Sequence, residues 1–250
     1  MKNIVLLVFF ILTVFTNSFS QINLKDSVER AFLVDFAFGY NLPDGDLVSR
    51  FGSNFSVSHG VKFKNRKNWI LEYSSAFLFG STVKEDIMSN ITTSQGEILD
   101  ENGLYGDILL MERGFTINLN AGKVIPIFGS NKNSGLFISS GWTFLQHKIR
   151  IENQFNVINS LSKEYKKGYD RLTNGGGLNQ FVGYIHLDDN KISNFYAGFE
   201  FIEAFTKNRR SYNYDTMQKD NAQRLDILYG FKLGWILPIY RKVPHEYYYD

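Results

Sequence analysis

From Leu225 to Ile239 every second residue is large and apolar: Leu225, Ile227, Tyr229, Phe231, Leu233, Trp235, Leu237 and Ile239. Between them stand Asp226, Gly230, Lys232 and Gly234, with Leu228 and Ile236 as exceptions. A helix repeats every 3.6 residues and cannot hold such a row on one side, so a period of two over this length demands a strand with two unlike faces. Seven more segments read the same way. In 31–40, Phe32, Val34, Phe36, Phe38 and Tyr40 alternate with Asp35, Ala37 and Gly39; in 68–80, Trp69, Leu71, Tyr73, Phe77 and Phe79 alternate with Glu72, Ser74, Ala76 and Gly80. In 192–205, Phe195, Phe199, Phe201 and Phe205 stand against Gly198 and Glu200. Segments 53–63, 108–122 and 134–149 join them, and 178–187 is ambiguous because Val182 and Tyr184 compete with Phe181, Ile185 and Leu187 for the apolar face.

The connections alternate as well. Strands one, three, five and seven lead into long segments (41–52, 81–107, 150–177 and 206–224), whereas the intervening links are shorter: 64–67, 123–133 and 188–191. An even number of alternating strands with long loops at one end and short turns at the other describes an up-and-down transmembrane barrel. No internal repeat or low-complexity linker divides the chain, so 31–240 reads as one domain.

Alternation alone does not say which face is outside, since a soluble lipocalin-like barrel turns its apolar side inward. Charge placement decides. Of 52 charged residues only ten fall in the strand segments: Asp35, Lys62, Glu72, Glu112, Arg113, Lys148, Glu200, Glu203, Asp226 and Lys232. A water-facing sheet needs charges along every strand; here the second face is Gly, Ser, Thr and Asn, as in Ser56, Ser58, Gly60, Gly114, Thr116, Asn118 and Asn120. In hydrocarbon every backbone group needs a partner within the protein, so the sheet must close. Trp69, Trp235 and Tyr240 fall near the short-turn interface and Tyr40 and Phe79 near the long-loop interface, as an aromatic girdle. The competing reading is a β-sandwich with these rings in its core.

Composition narrows the function. Charges nearly cancel, 27 basic against 25 acidic residues, which removes nucleic acid as a leading partner. The absence of cysteine excludes disulfides, thiol catalysis, thiolate metal sites and a lipid-modified N-terminal cysteine. Lys2, the apolar run from Ile4 to Phe15 and Ser18-Phe-Ser20 form a secretory leader with cleavage expected before Gln21. The expected organisation is a leader over 1–20, a periplasmic lead over 21–30, the barrel over 31–240 and a periplasmic tail over 241–250.

Leader, eight alternating strands, three short turns and four long loops together resemble the small eight-stranded outer-membrane barrels of Gram-negative bacteria, the class of the OmpA transmembrane domain. The Ser-Phe-Ser-Gln cleavage site and the Asn/Phe/Tyr-rich composition are similar to Bacteroidota barrels, including the PorT-like group. The resemblance implies the cell outer membrane, with lipid and lipopolysaccharide as surroundings and other outer-membrane proteins as partners. The chain departs from the pattern at its end, where ten residues follow Tyr240 and Tyr247–Tyr249 stand in for a terminal aromatic signal.

Alternation sends Asp35, Glu72, Glu112, Glu200 and Asp226 into the lumen with Lys62 and Lys232. Buried charges need partners, so a polar plug of ion pairs is expected, with Arg113, Arg150 or Arg171 supplying further cations or a carboxylate staying protonated. A cation-selective pore or proton path is the alternative. His147, near the outer end of strand five, is the one histidine placed for lipid A or phospholipid chemistry, but no nucleophile motif accompanies it, and a structural histidine is the plainer reading. Asp44-Gly45-Asp46 reads as a turn before it reads as a calcium site, and Gly175-Gly176-Gly177 as a flexible loop. In the third long loop, cations and tyrosines interleave, and Lys166, Lys167, Tyr169 and Arg171 are expected to touch lipopolysaccharide phosphates or a partner protein. No catalytic residue, metal or cofactor is expected. The expected role is structural, or that of an accessory subunit in an outer-membrane secretion or assembly complex, against a lipid-modifying enzyme or a narrow channel.

Overall fold

The computed structural model describes residues 28–153, 158, 161–162, 164–188 and 192–240. The expected leader and cleavage site, residues 21–27 of the expected lead and the expected tail 241–250 lie outside the described residues. Eight strands follow in order: β1 (Ala31–Gly45), β2 (Asn54–Lys64), β3 (Trp69–Gly80), β4 (Ile108–Ile125), β5 (Gly135–Asn153), β6 (Thr173–His186), β7 (Phe195–Asn208) and β8 (Gln223–Tyr240). Each is antiparallel to the next, and β8 returns to pair with β1, so the sheet closes and no edge is left.

Stepping from partner to partner around the ring, Asp35 leads through Gly60, Ser74, Asn118, Thr143, Gly177, Ala204 and Asp226 back to Gly45, ten residues further along β1. With eight strands, that stagger sets a tilt of about 40° and a backbone radius of about 8 Å. A tube this narrow is filled by its own side chains.

Side-chain direction separates this barrel from a soluble one. The large apolar residues point out, with Phe36 56% and Leu71 63% exposed, while Asp35, Lys62, Asn118 and Thr143 on the opposite face are buried. A predominantly apolar exterior around a charged and polar middle of the lumen is stable only in hydrocarbon. The sandwich and the soluble barrel are therefore both excluded. Strand six resolves in the same sense: Val182 points out, whereas Phe181, Ile185 and Leu187 are buried. Leu228 and Ile236, the two exceptions in the strand-eight pattern, are buried inside the tube.

The strands run further toward the long-loop end than the sequence pattern indicated. β1 continues to Gly45, β5 to Asn153 and β7 to Asn208, because the ladder persists past the hydrocarbon while outward residues turn polar, as at Lys148, Arg150 and Lys207. β6 starts at Thr173, so Gly175-Gly176-Gly177 is strand and not flexible loop. Its ladder makes it so, with Gly175 paired to Leu145 and Thr206 and Gly177 to Thr143 and Ala204. Glycine is required because a Cβ on Gly175 would lie 1.8 Å from the Phe205 carbonyl oxygen, and one on Gly177 1.9 Å from that of Glu203.

The long loops fold back over the mouth. A single 3-10 turn, Leu47–Ser49, follows β1 and drops Leu47 and Phe51 into the barrel end. The loop is tied to its neighbour by Gly52 N–H to the Thr82 carbonyl (3.1 Å) and Lys84 N–H to the Arg50 carbonyl (2.8 Å). Of Asp44-Gly45-Asp46, read from the sequence as a turn, Asp44 and Gly45 instead close β1, paired with Ile227 and Asp226, and the turn begins at Asp46. Asp44 Oδ1 accepts from Gly45 N–H (2.8 Å) and Asp46 Oδ2 from Leu225 N–H (2.7 Å). Gly45 adopts the left-handed φ of 61° that such a corner needs.

Candidate functional site

The lumen is built in layers. At the short-turn end, Leu33, Ile70, Val124, Phe137, Phe181, Ile185, Leu187 and Ile236 form a dry apolar stopper. Lys64 closes its rim, donating to Asn133 Oδ1 (2.7 Å) and the Glu29 carbonyl (3.0 Å).

Above the stopper sits the first charged layer. Lys62 Nζ lies 2.7 Å from Asp35 Oδ1 and 2.8 Å from Glu72 Oε1, with the lysine side chain wholly buried. Tyr196 donates its hydroxyl to Asp35 Oδ2 (2.7 Å), and its ring lies 4.7 Å beneath the ammonium. These groups meet because register brings β1, β2 and β3 side by side: Lys62 is the cross-strand partner of Glu72, and Asp35 pairs with Gly60, two residues along β2. Gly60 leaves room, since a Cβ there would stand 2.9 Å from Asp35 Oδ1.

The next layers are mostly amides. Lys232 Nζ donates to Glu200 Oε1 (2.9 Å), which also accepts from Asn179 Nδ2 (3.0 Å); Asn120 Nδ2 donates to Asn179 Oδ1 (2.6 Å). Thr143 Oγ1 donates to Asn118 Oδ1 (2.6 Å). Higher still, Asn54 Nδ2 spans both oxygens of Glu112 at 3.0 and 3.1 Å, and Asn41 backs Asn54 at 2.9 Å. His147 Nε2 lies 2.8 Å from Asp226 Oδ2, which accepts Thr206 Oγ1 at 2.5 Å. Phe51 meets the His147 ring edge-on, centroids 5.5 Å apart. A second apolar layer, Phe51, Leu78, Leu145, Ile149, Ile202 and Leu228 with Ile87 and Met88 from the loops, covers everything below.

All seven residues expected in the lumen thus point there, but not as one network. Asp35, Lys62 and Glu72 form one cluster, Glu200 and Lys232 a second, while Glu112 and Asp226 find Asn54 and His147. Of the three expected extra cations, two are corrected by the structure. Arg113 and Arg150 are on the outward face, where Arg113 Nη1 donates to the Glu112 carbonyl (2.6 Å) and Arg150 pairs with Glu152. Two cations enter the mouth: Arg171, as expected, and Arg50, from the short turn after β1, which donates to Thr173 Oγ1 (3.0 Å) and Glu85 Oε2 (2.6 Å).

The loop residues expected at the surface divide. Lys166 donates to Asn153 Oδ1 (2.6 Å) and Lys167 to Glu164 Oε2 (2.7 Å), both on the outer side. Tyr169 is only 4% exposed, packed edge-on against Tyr214, and Arg171 is 3% exposed, held by Glu85 Oε1 (2.6 Å) and by Asp215. Neither is available to lipid or partner, because the loop closes its own ion pairs inward. Burial alone pushes the Glu85 carboxyl up, but Arg50 and Arg171 outweigh it and hold it below the ordinary range.

On the outward face, Tyr40, Phe55 and Phe79 are consecutive cross-strand partners, with centroids 5.3 and 6.1 Å apart. Trp69 and Trp235 lie toward the other end, Trp235 donating Nε1–H to the Ile192 carbonyl (2.9 Å). Tyr240 ends β8, and its ring lies outside the described side chains. Two polar breaks interrupt the apolar wall: His59 opposite Ser75 on β2 and β3, and Ser140 opposite Gln180 on β5 and β6. Given the tilt, these four lie within about 4 Å of one depth, near the middle of the apolar band.

Sequence reading missed Asn41, Asn54, Arg50 and Tyr196. Asn54 carried a signal, since it shares the inward parity of Ser56 and Ser58; Arg50 carried none, because a loop has no period. Among the described residues no group of three or more His, Asp or Glu side chains is placed to hold a metal ion.

No protein-family model matches the chain, and no curated protein does. Among solved structures, Neisserial surface protein A is similar over 82% of this chain and 96% of its own, at 11% identity and a TM-score of 0.41. Ail, the attachment invasion locus protein of Yersinia pestis, solved with the heparin analogue sucrose octasulfate, is similar over 84% and 99%, at 11% identity and 0.40. The outer-membrane protein OprG of Pseudomonas aeruginosa is similar over 85% and 98%, at 11% identity and 0.42.

Proposed function

We propose that the protein is an integral outer-membrane barrel that conducts nothing and serves as a lateral subunit of a larger outer-membrane assembly, such as a secretion or barrel-assembly complex. The N-terminal leader is the expected route out of the cytoplasm, and the long loops face the cell exterior. A passive channel needs a wet path, whereas here apolar layers at both ends cover a lumen of hydrogen-bonded charges and amides. A lipid-modifying enzyme needs its histidine at the rim, whereas His147 is buried and faces Asp226.

The observation that carries the subunit reading is the polar pair on each side of the wall. His59, Ser75, Ser140 and Gln180 face outward at mid-depth, and no hydrogen bond is found for their side chains among the described residues. An amide or imidazole facing lipid is costly without a partner, and intramembrane polar groups mark contacts. The test uses the absence of native cysteine. Gln180→Cys, carrying a photo-crosslinker in intact membranes, is expected to trap a discrete protein adduct, while Phe231→Cys, on the apolar wall, traps none. No adduct from either Gln180→Cys or His59→Cys would remove the subunit reading.

A further inference from the structure

Two grooves adjoin at the long-loop rim. The first, about 530 Å³, lies along the part of β5 that has passed the end of its pairing with β6; Lys148, Arg150, Lys166 and Asp170 wall it over Ile149 and Ile151. The second, about 410 Å³, shares Lys167 and Arg210 with the first and adds Arg209 with Tyr165, Tyr212 and Tyr214. Six cations thus face two lining carboxylates, Asp170 and Glu164. Arg210 is taken by Asp170 (2.7 Å) and Lys167 by Glu164 (2.7 Å), and Arg150 pairs with Glu152. Lys148, Lys166 and Arg209 meet no carboxylate among the described residues; Lys166 and Arg209 donate only to Asn153 (2.6 Å) and Asn174 (2.6 Å).

A further observation comes from the register. Lys148 stands directly opposite Arg113 on the outward face, and Arg113 is in turn the partner of Phe79. Like charges directly opposite weaken a sheet, and an anion between them reverses that penalty. The pair sits just above the Tyr40–Phe55–Phe79 row, where the headgroups of a leaflet begin.

We propose that these adjoining grooves form a binding cleft for a phosphorylated saccharide, with lipopolysaccharide of the outer leaflet as its source. Lys148, Lys166 and Arg209 take the phosphates by charge-assisted hydrogen bonds. Tyr165 and Tyr212, both exposed, offer flat faces on which the apolar side of a sugar ring packs. The volumes suit one or two sugar units. The choice of lipopolysaccharide rests on the outer-membrane reading; the preference for phosphorylated sugar does not.

The test compares three probes on folded protein in detergent: intact lipopolysaccharide, its acyl-free phosphorylated core oligosaccharide, and that oligosaccharide after dephosphorylation. The wild type is expected to bind the phosphorylated oligosaccharide at least tenfold tighter than the dephosphorylated one, and intact lipopolysaccharide tighter still. Lys148→Gln/Lys166→Gln/Arg209→Gln is expected to lose at least tenfold on both phosphorylated probes, with heat-modifiable mobility confirming its fold. Equal binding of phosphorylated and dephosphorylated oligosaccharide, or a folded triple variant that binds like the wild type, overturns the cleft. Equal binding of lipopolysaccharide and free oligosaccharide overturns the leaflet as source. Failure of the folded wild type to float with lipid vesicles would defeat the membrane reading instead, whatever the saccharides do.

Discussion

Two ion clusters lie at opposite ends of this molecule and are held by different means. In the lower lumen one lysine, Lys62, serves two carboxylates, Asp35 and Glu72, and every member is a strand residue fixed by register. At the mouth, Arg50 and Arg171 both reach Glu85, and Arg171 also reaches Asp215; all four come from connecting segments. The lower cluster is enclosed by a closed ladder and cannot come apart unless the barrel opens. The upper one rests on loop geometry and can release while the wall stands. One is part of the fold, and the other is a clasp laid over it.

The largest expected effect breaks the lower cluster. Lys62→Met leaves two carboxylates facing each other in a dry tube, and loss of one partner of a buried pair costs about 3–5 kcal/mol. Urea unfolding in vesicles should show the loss. Asp35→Leu/Lys62→Met/Glu72→Leu, which removes all three charges, should recover most of it. If Lys62→Met unfolds at the wild-type midpoint, the cluster contributes nothing and the lumen is wetter than its burial indicates.

A smaller and local effect is expected at the clasp. Arg171→Ala frees Glu85 from one of its two arginines and leaves Asp215 without its partner, so loop 81–107 should become sensitive to protease while the barrel keeps its folded mobility in electrophoresis. Global unfolding of this variant would erase the distinction between the two clusters.

The smallest effect sharpens the comparison by pH. The folded Glu85 carboxyl titrates below its ordinary value of 4.5, so its stabilisation is fully present above that value. It is lost as pH falls through the lower, folded value. Acidification below about 4.5 should therefore raise hydrogen exchange in 81–107 before it affects the strands. Exchange that rises first in β1–β3 would reverse the proposed order of release.

The sequence carried the wall because every strand crosses the same two environments. Phe32 to Tyr40 and Leu225 to Ile239 alternate because one side of each strand meets lipid and the other the lumen, and that constraint is written at each position. The same parity placed Asp35, Lys62, Glu72 and Lys232 inside. It failed where the interior turns apolar: Leu228 and Ile236 broke the pattern because they belong to the two stoppers, one at each end. It failed again at Thr173–Gly177, where glycine leaves no hydrophobic period and the strand is defined by its pairing with β5 and β7, the crowding by the Phe205 and Glu203 carbonyls admitting no side chain at Gly175 or Gly177.

Strand number, loop sidedness and the outward turn of the greasy face were therefore determined by the chain alone, since they follow from a repeat of two and the distribution of charge. Which carboxylate meets which cation was not. Arg50 rather than Arg113 enters the mouth, Asn54 rather than a cation meets Glu112, and Arg171 turns inward to Glu85 and Asp215. Those partnerships depend on a ten-residue stagger and on loops folding back across the opening, and both appear only when the sheet has closed on itself.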